Sequence, residues 1–291
     1  MKRKVFFVFI VFFMFLLPFL IISDHFSNTV SELSKSYILL DMESNVNFLS
    51  TKIANILSNE YDVAKDMRNI KDRVKLIQKI KELSGKSFIK KISLYDMNGN
   101  LIYSSALNEK KFLKDELFEK SKKIDVPIGV IEYLDNYPPQ LNIAERIYSF
   151  IIRATLDLGY IGEIIFSHSK KVIGHIYLID KDGNIIFDSN YDFVFKSSKI
   201  PYNEIMTLID GLKSKGVFNY KGVVKLQDRV YFISLSNVET TTWWIFNILD
   251  SSKAQYPLFK KWVKRVVFLG VAIIFSFSVI TLLIFEKLYK R

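Results

Sequence analysis

The chain writes the same phrase twice. Leu94 to Ser105 reads LYDMNGNLIYSS and Leu178 to Ser189 reads LIDKDGNIIFDS, with six of the twelve positions identical and three of the changes mild. Each copy sets a turn dipeptide, Asn98-Gly99 or Asp182-Gly183, between short alternating apolar runs. Asn-Gly or Asp-Gly in that setting is the strongest short-range hairpin signal. A lone hairpin is marginal in water and needs more strands or a packed helix to persist. Each hairpin therefore needs further strands or a helix beside it.

Further blocks recur in the same order. GVIEY at Gly129 answers GVFNY at Gly216, ERIYSFII at Glu145 answers DRVYFISL at Asp228, and Tyr160-Ile161 aligns with Trp243-Trp244 ahead of a final apolar strand. The pattern predicts two copies of one unit of roughly 80 residues. Each unit reads as a hairpin, a short helix (Lys110 to Lys122, then Pro201 to Lys213) and three further strands. Upstream, Asp24 to Ser84 holds neither Gly nor Pro, and apolar residues recur at helical spacing: Val30, Leu33, Tyr37, Leu40, then Val46, Leu49, Ile53, Ile56. This predicts a long amphipathic helix, bent at the polar patch from Asn59 to Asp72 and stopped at Gly85. Its apolar stripe packs on the following domain, and its near-heptad spacing also suits a homodimer seam.

Two uncharged runs flank these elements. Val5 to Ile22 spans 18 residues and Val266 to Phe285 spans 20. The shorter makes a helix of ~27 Å, enough for the hydrocarbon core. No small-x-small cleavage site follows Ile22, which favours an anchor over the competing cleaved signal peptide. Lys2, Arg3 and Lys4 place the N-terminus in the cytoplasm. Residues 24–265 are then extracytoplasmic in a two-pass protein of the plasma membrane.

The expected fold class is α+β: two transmembrane helices flanking a long helix and two tandem PAS-like antiparallel sheet modules. The expected divisions are 1–23 (cytoplasmic start and first span), 24–85 (long helix), 86–170 (membrane-distal module), 171–252 (membrane-proximal module), 253–265 (juxtamembrane), 266–285 (second span) and 286–291 (tail).

This architecture resembles the double Cache sensor domains of bacterial and archaeal chemoreceptors and sensor kinases. The residues that carry the match are LIDKDGNIIFDS and the closing DRVYFISLSNVETTTWWIFNIL, similar to that family's last two strands. The resemblance implies a small-molecule ligand in the distal module and signalling through a partner protein or an output domain beyond the second span. Many amino-acid-sensing members carry Arg-x-Trp-Tyr distally. Here the distal module has no tryptophan at all, so that motif lends no support to an amino-acid ligand. The chain stops six residues after the second span, which leaves a split or truncated receptor open. The alternative reading is a membrane-anchored structural or assembly protein whose tandem sheets bind another protein outside the cell.

Composition excludes several other classes. The net charge of +11 comes from 41 basic and 30 acidic residues, mostly interspersed lysines, so no nucleic-acid partner is expected. With no cysteine, disulfides, thiolate metal sites and cysteine nucleophiles are ruled out. His25, His168 and His175 have no metal spacing and read as surface or interface residues. The DKDGN run at Asp180 echoes a calcium loop but carries Tyr191 at its twelfth position, where such a loop needs Glu. No phosphate loop, nucleophile elbow or catalytic carboxylate pair appears, so no enzyme, cofactor or metal is expected. Arg146 has a counterpart in Arg229 and reads as a hairpin-flanking residue.

The two copies differ between GVIEY and ERIY, where the first has eleven residues, Leu134 to Ala144, against seven in the second, Lys221 to Gln227. A loop enlarged in one of two scaffolds is a natural binding site. The candidate ligand residues are Tyr133, Asp135 and Tyr137, with rings for stacking and a carboxylate for an amine or hydroxyl.

Overall fold

A computed structural model describes residues 2–59, 62–107, 113–124, 126–133, 138–169, 172–189, 203–254 and 256–289. In chain order the elements are α1 Lys2–Asn59, α2 Arg73–Leu83, β1 Ile89–Asp96, β2 Leu101–Ser104, α3 Glu116–Ser121, β3 Ile128–Glu132, β4 Gln140–Ile147, β5 Phe150–Asp157 and α4 Gly159–Ser169. They continue as β6 His175–Ile179, β7 Ile185–Asp188, α5 Asn203–Ser214, β8 Asn219–Leu226, β9 Arg229–Asn237, β10 Trp244–Asp250 and α6 Tyr256–Tyr289. Two antiparallel five-stranded sheets result, ordered β2-β1-β5-β4-β3 and β7-β6-β10-β9-β8. The shared strand order is the structural form of the sequence repeat.

The chain divides into two compact units. The larger holds residues 42–222 and 233–248. Its core runs along α1, where Val46, Leu49 and Ile53 are fully buried and Ile56 nearly so. That stripe belongs to one apolar cluster with Ile92, Leu94, Ile152 and Leu156 of the first sheet and Ile176, Leu178 and Ile245 of the second. Leu76 and Ile80 of α2 and Ile161 and Ile165 of α4 complete it. Asp72 caps α2 by accepting from the Val74 and Lys75 amides. The opposite face of the first sheet is covered by α3, whose Leu117 and Phe118 pack on Tyr95, Ala144 and Ile151.

The smaller unit holds residues 1–41, 223–232 and 249–291. Phe12 of α1 meets Phe275 of α6 edge to face, 5.8 Å between centroids. A Cβ on Gly270 would lie 2.1 Å from Cζ of Phe19, so this glycine lets the ring approach the α6 backbone. Among the described residues, α1 alone is long and apolar enough to cross a membrane, and the apolar stretch of α6, Arg265–Thr281, is shorter.

Three sequence expectations change. First, the long helix is interrupted rather than bent. It ends at Asn59, turns occupy 63–69, and α2 resumes at Arg73. Second, Tyr160-Ile161 lies on α4 and not before a strand, and the last strand of the first sheet is β5. ERIYSFII spans the β4–β5 turn, whereas DRVYFISL spans the β8–β9 turn, so the two phrases match as hairpins one strand out of phase. Third, Gln140 to Ala144 belong to β4, so much of the supposed enlarged loop is strand.

Both repeated hairpins turn as expected, with Gly99 at φ 93° and Gly183 at φ 78°. In each an aspartate laces the turn: Asp96 accepts from the Asn98 and Asn100 amides and Asp180 from those of Asp182 and Asn184. A Cβ at Gly99 would also stand 2.2 Å from the Leu113 carbonyl oxygen, while one at Gly183 meets only the Met206 side chain at 3.0 Å. Left-handed strain costs a non-glycine residue about 1–2 kcal/mol, and a fixed carbonyl cannot yield as a methionine can. Gly183→Ala should therefore lose about that amount and Gly99→Ala clearly more, read from thermal unfolding of the full chain. Equal losses would contradict the packing difference.

Candidate functional site

The α3 face of the first sheet is half apolar and half polar. In register, Ser93 pairs with Arg153, Arg153 with Ala144 and Asn142 with Thr155. Because strand side chains alternate, Ser93, Arg153, Thr155, Asn142 and Glu132 all point to the side of α3. Leu117 and Phe118 cover the apolar half. The other half opens into a cavity of about 310 Å³ lined by Asp115, Glu116, Lys120, Val130, Glu132, Asn142 and Arg153, among others.

The cavity's polar groups are fixed in place. Asp115 is the N-cap of α3 and accepts from the Phe118 amide at 2.9 Å. Its other oxygen takes a charge-assisted bond from the Arg153 guanidinium. On the neighbouring strands the Thr155 hydroxyl donates to Oδ1 of Asn142 at 2.7 Å, and Nδ2 of Asn142 donates to the Glu132 carboxylate at 2.7 Å. Thr155 and Asn142 are almost wholly buried. One group stands out: Nε of Arg153 is buried with no acceptor among the described residues. A buried donor left unpaired is costly, and here it lies in a cavity wall. Three carboxylates and two cations line this space, so it can present opposite charges to a ligand.

Arg146 lies on the same face and donates to the Lys122 carbonyl, joining β4 to the end of α3. Arg229 instead approaches Asp250 at 3.9 Å. On the opposite face, Glu145 is buried in a pair with Arg68, which also reaches Asp62. The bond that Arg68 donates to Glu145 is the main cause of its raised pKa. His168 bonds Asn45 and stacks on Phe48, so it joins α4 to α1. His175 pairs with Asp188 and stacks on Tyr177, while His25 is exposed on α1. Among the described residues no cluster of metal-binding side chains occurs.

Tyr133, the residue after β3, donates its hydroxyl to Asp180 at 3.1 Å. It therefore joins the first sheet's edge to the second hairpin. Burial first, and then the Asp180 carboxylate, pushes its phenol pKa far up, so it stays a donor across the physiological range. Asp135 and Tyr137 lie outside the described residues. The three sequence-chosen residues are thus not brought together among those described. The polar half-face of Asp115, Glu132, Asn142, Arg153 and Thr155 went unread, although a period-two trace of it stands in QLNIAERI and FIIRATLD.

Thr155→Val removes one buried bond and should cost about 1 kcal/mol, whereas Asn142→Ala removes two bonds and leaves the buried Thr155 hydroxyl without its acceptor, with Glu132 released to water, and should cost about 2–3 kcal/mol. Chemical denaturation of the full chain checks the order, and an equal or reversed order would contradict the network.

No family model matches the chain, and no curated protein matches it. Solved structures do. The sensory domain of the Campylobacter jejuni chemoreceptor Tlp3 is 13% identical, with a TM-score of 0.54, over 76% of this chain and 97% of that one. The ligand-binding domain of the Pseudomonas aeruginosa amino acid chemoreceptor PctC, in complex with GABA, is 14% identical, with a TM-score of 0.52, over 77% and 99%. That of P. aeruginosa PctB, in complex with L-Arg, is 16% identical, with a TM-score of 0.52, over 72% and 94%. At such identities the likeness is one of fold, and it is the fold that the double Cache resemblance implies.

Proposed function

We propose that the chain is a membrane-anchored extracytoplasmic sensor that takes a small polar ligand in the cavity on the α3 face of the first sheet. The observation that carries this reading is the half-buried Arg153, whose buried Nε lacks an acceptor among the described residues in a wall that also holds Asp115 and Glu132. A fitting ligand has an anionic group for Arg153 and a cationic or hydroxyl group for the two carboxylates. The bound states named for the similar structures, GABA in PctC and L-Arg in PctB, are of this kind and support it. Asp135 and Tyr137, which follow Glu132 closely in sequence, are proposed as further ligand residues.

In this reading α1 and α6 both cross the plasma membrane, and residues 24–265 lie outside. The continuity of α1 from its apolar run to the core stripe supports a mechanical link between ligand site and membrane. The signal passes on through a partner protein, a second copy of the chain or an output domain.

Ligand that binds only the folded state raises stability by about 2.7 kcal/mol at a hundredfold excess over Kd. A thermal-shift screen of the full chain against amino acids, short carboxylates and polyamines should find a ligand that raises Tm. Arg153→Ala should weaken that response at least tenfold while leaving the fold intact by circular dichroism. A ligand that stabilises Arg153→Ala as well as the native chain would place its site elsewhere.

A further inference from the structure

A second cavity lies on the other side of the β3–β4 pair. It is an open pocket of about 260 Å³ lined by Leu57, Pro127, Gly129, Leu141, Ile143 and the run Thr240-Thr241-Thr242-Trp243. It shares no lining residue with the first cavity. In register Gly129 pairs with Ile143, so these two face away from Val130 and Asn142. The two cavities therefore back onto opposite faces of the same strands.

Its chemistry is different. None of the nine lining residues is ionisable, so a bare charge entering there would lose its hydration with no partner in return. The floor is aliphatic, with the largely buried Trp243 beside it. The rim is a row of hydroxyls. Thr241 is internally committed: it donates to the Val238 carbonyl and accepts from the Trp243 amide. Thr240 and Thr242 are exposed and have no partner among the described residues.

The wall is preformed. Val238 and Trp243 close the β9–β10 loop with a backbone bond of 3.0 Å, and the Asn237 amide also donates to the Trp243 carbonyl. Ser50 of α1 in turn holds the Asn237 carbonyl at 2.6 Å. Within this bracing Thr240 sits at φ 65°, a costly conformation for a β-branched residue, and such outliers persist where the surroundings over-determine them. Across from it, Gly129 keeps the space open. A Cβ there would touch only Cδ1 of Leu141, at 3.2 Å, and a larger side chain would enter the cavity.

We infer that this cavity is a second binding site, for a small uncharged molecule with an apolar or aromatic body and a hydroxyl. The body rests on Leu57, Leu141, Ile143 and Trp243, and the hydroxyl meets Thr240 and Thr242. The site stands independently of whether the charged cavity binds a ligand.

The probe is benzyl alcohol. The full chain, in detergent and labelled with fluorotryptophan, carries three indole signals, and Trp243→Phe assigns one of them. Titration should move the Trp243 signal saturably. Gly129→Val should weaken binding at least tenfold and Thr242→Val about fivefold, the value of one hydrogen bond. Arg153→Ala should leave it unchanged, which separates this site from the charged cavity. Were Gly129→Val not to fold, Thr242→Val decides, because it preserves the cavity's shape. A Trp243 signal that does not move, or that moves linearly as detergent takes up the alcohol, would overturn the inference. So would equal affinity in native and Thr242→Val chains.

Discussion

One stripe of one helix carries both sheets. Val46, Leu49 and Ile53 lie fully buried along α1, and the same cluster reaches the inner faces of β1, β5, β6 and β10. Neither sheet completes a core by its own strands on that side. The first sheet's other face has a local cover in α3; α5 buries Ile205 and Ile209 and sets Met206 beside the second hairpin at Gly183. The stripe is therefore in one apolar cluster with strands of both repeats. It also lies on the helix that carries the apolar N-terminal run.

The charged cavity follows from the same arrangement. Because α1 takes the inner face, the outer face is free to differ along its length. The short α3 covers only the end where Tyr95, Ala144 and Ile151 lie. At the other end Arg153, Thr155 and Asn142 take the same strand positions with polar side chains. Asp115 stands at the boundary, capping α3 with one oxygen and holding Arg153 with the other. Helix placement and cavity chemistry thus meet in one residue. The uncharged cavity behind β3 and β4 is lined instead by the β9–β10 loop.

Much of the fold was legible in the sequence because its signals are local. Asn98-Gly99 and Asp182-Gly183 specify tight turns through backbone conformation, and both glycines take positive φ. The absence of Gly and Pro announced α1, but not its end at Asn59. There tertiary packing of Val63, Ala64 and Met67 holds the chain in turns where propensity would continue a helix. The strand phase was misread because ERIY and DRVY both flank hairpin turns, and only pairing tells which strands a turn joins. The site was the least legible. Asp115, Glu132, Asn142 and Arg153 come from α3's cap and three strands and meet only when register aligns them. Tyr133 donates to Asp180 across the modules, a long-range pairing that has no local sequence signal.

The central claim is that both sheets depend on one shared stripe. Leu49→Ala removes a fully buried side chain and should cost about 2–5 kcal/mol. Native-state hydrogen exchange on the full chain reads where that loss falls. The account predicts that the slowest amides of β1 and β5 and those of β6 and β10 lose protection together, by the same amount. Loss confined to one sheet, with the other keeping its native protection, would contradict it.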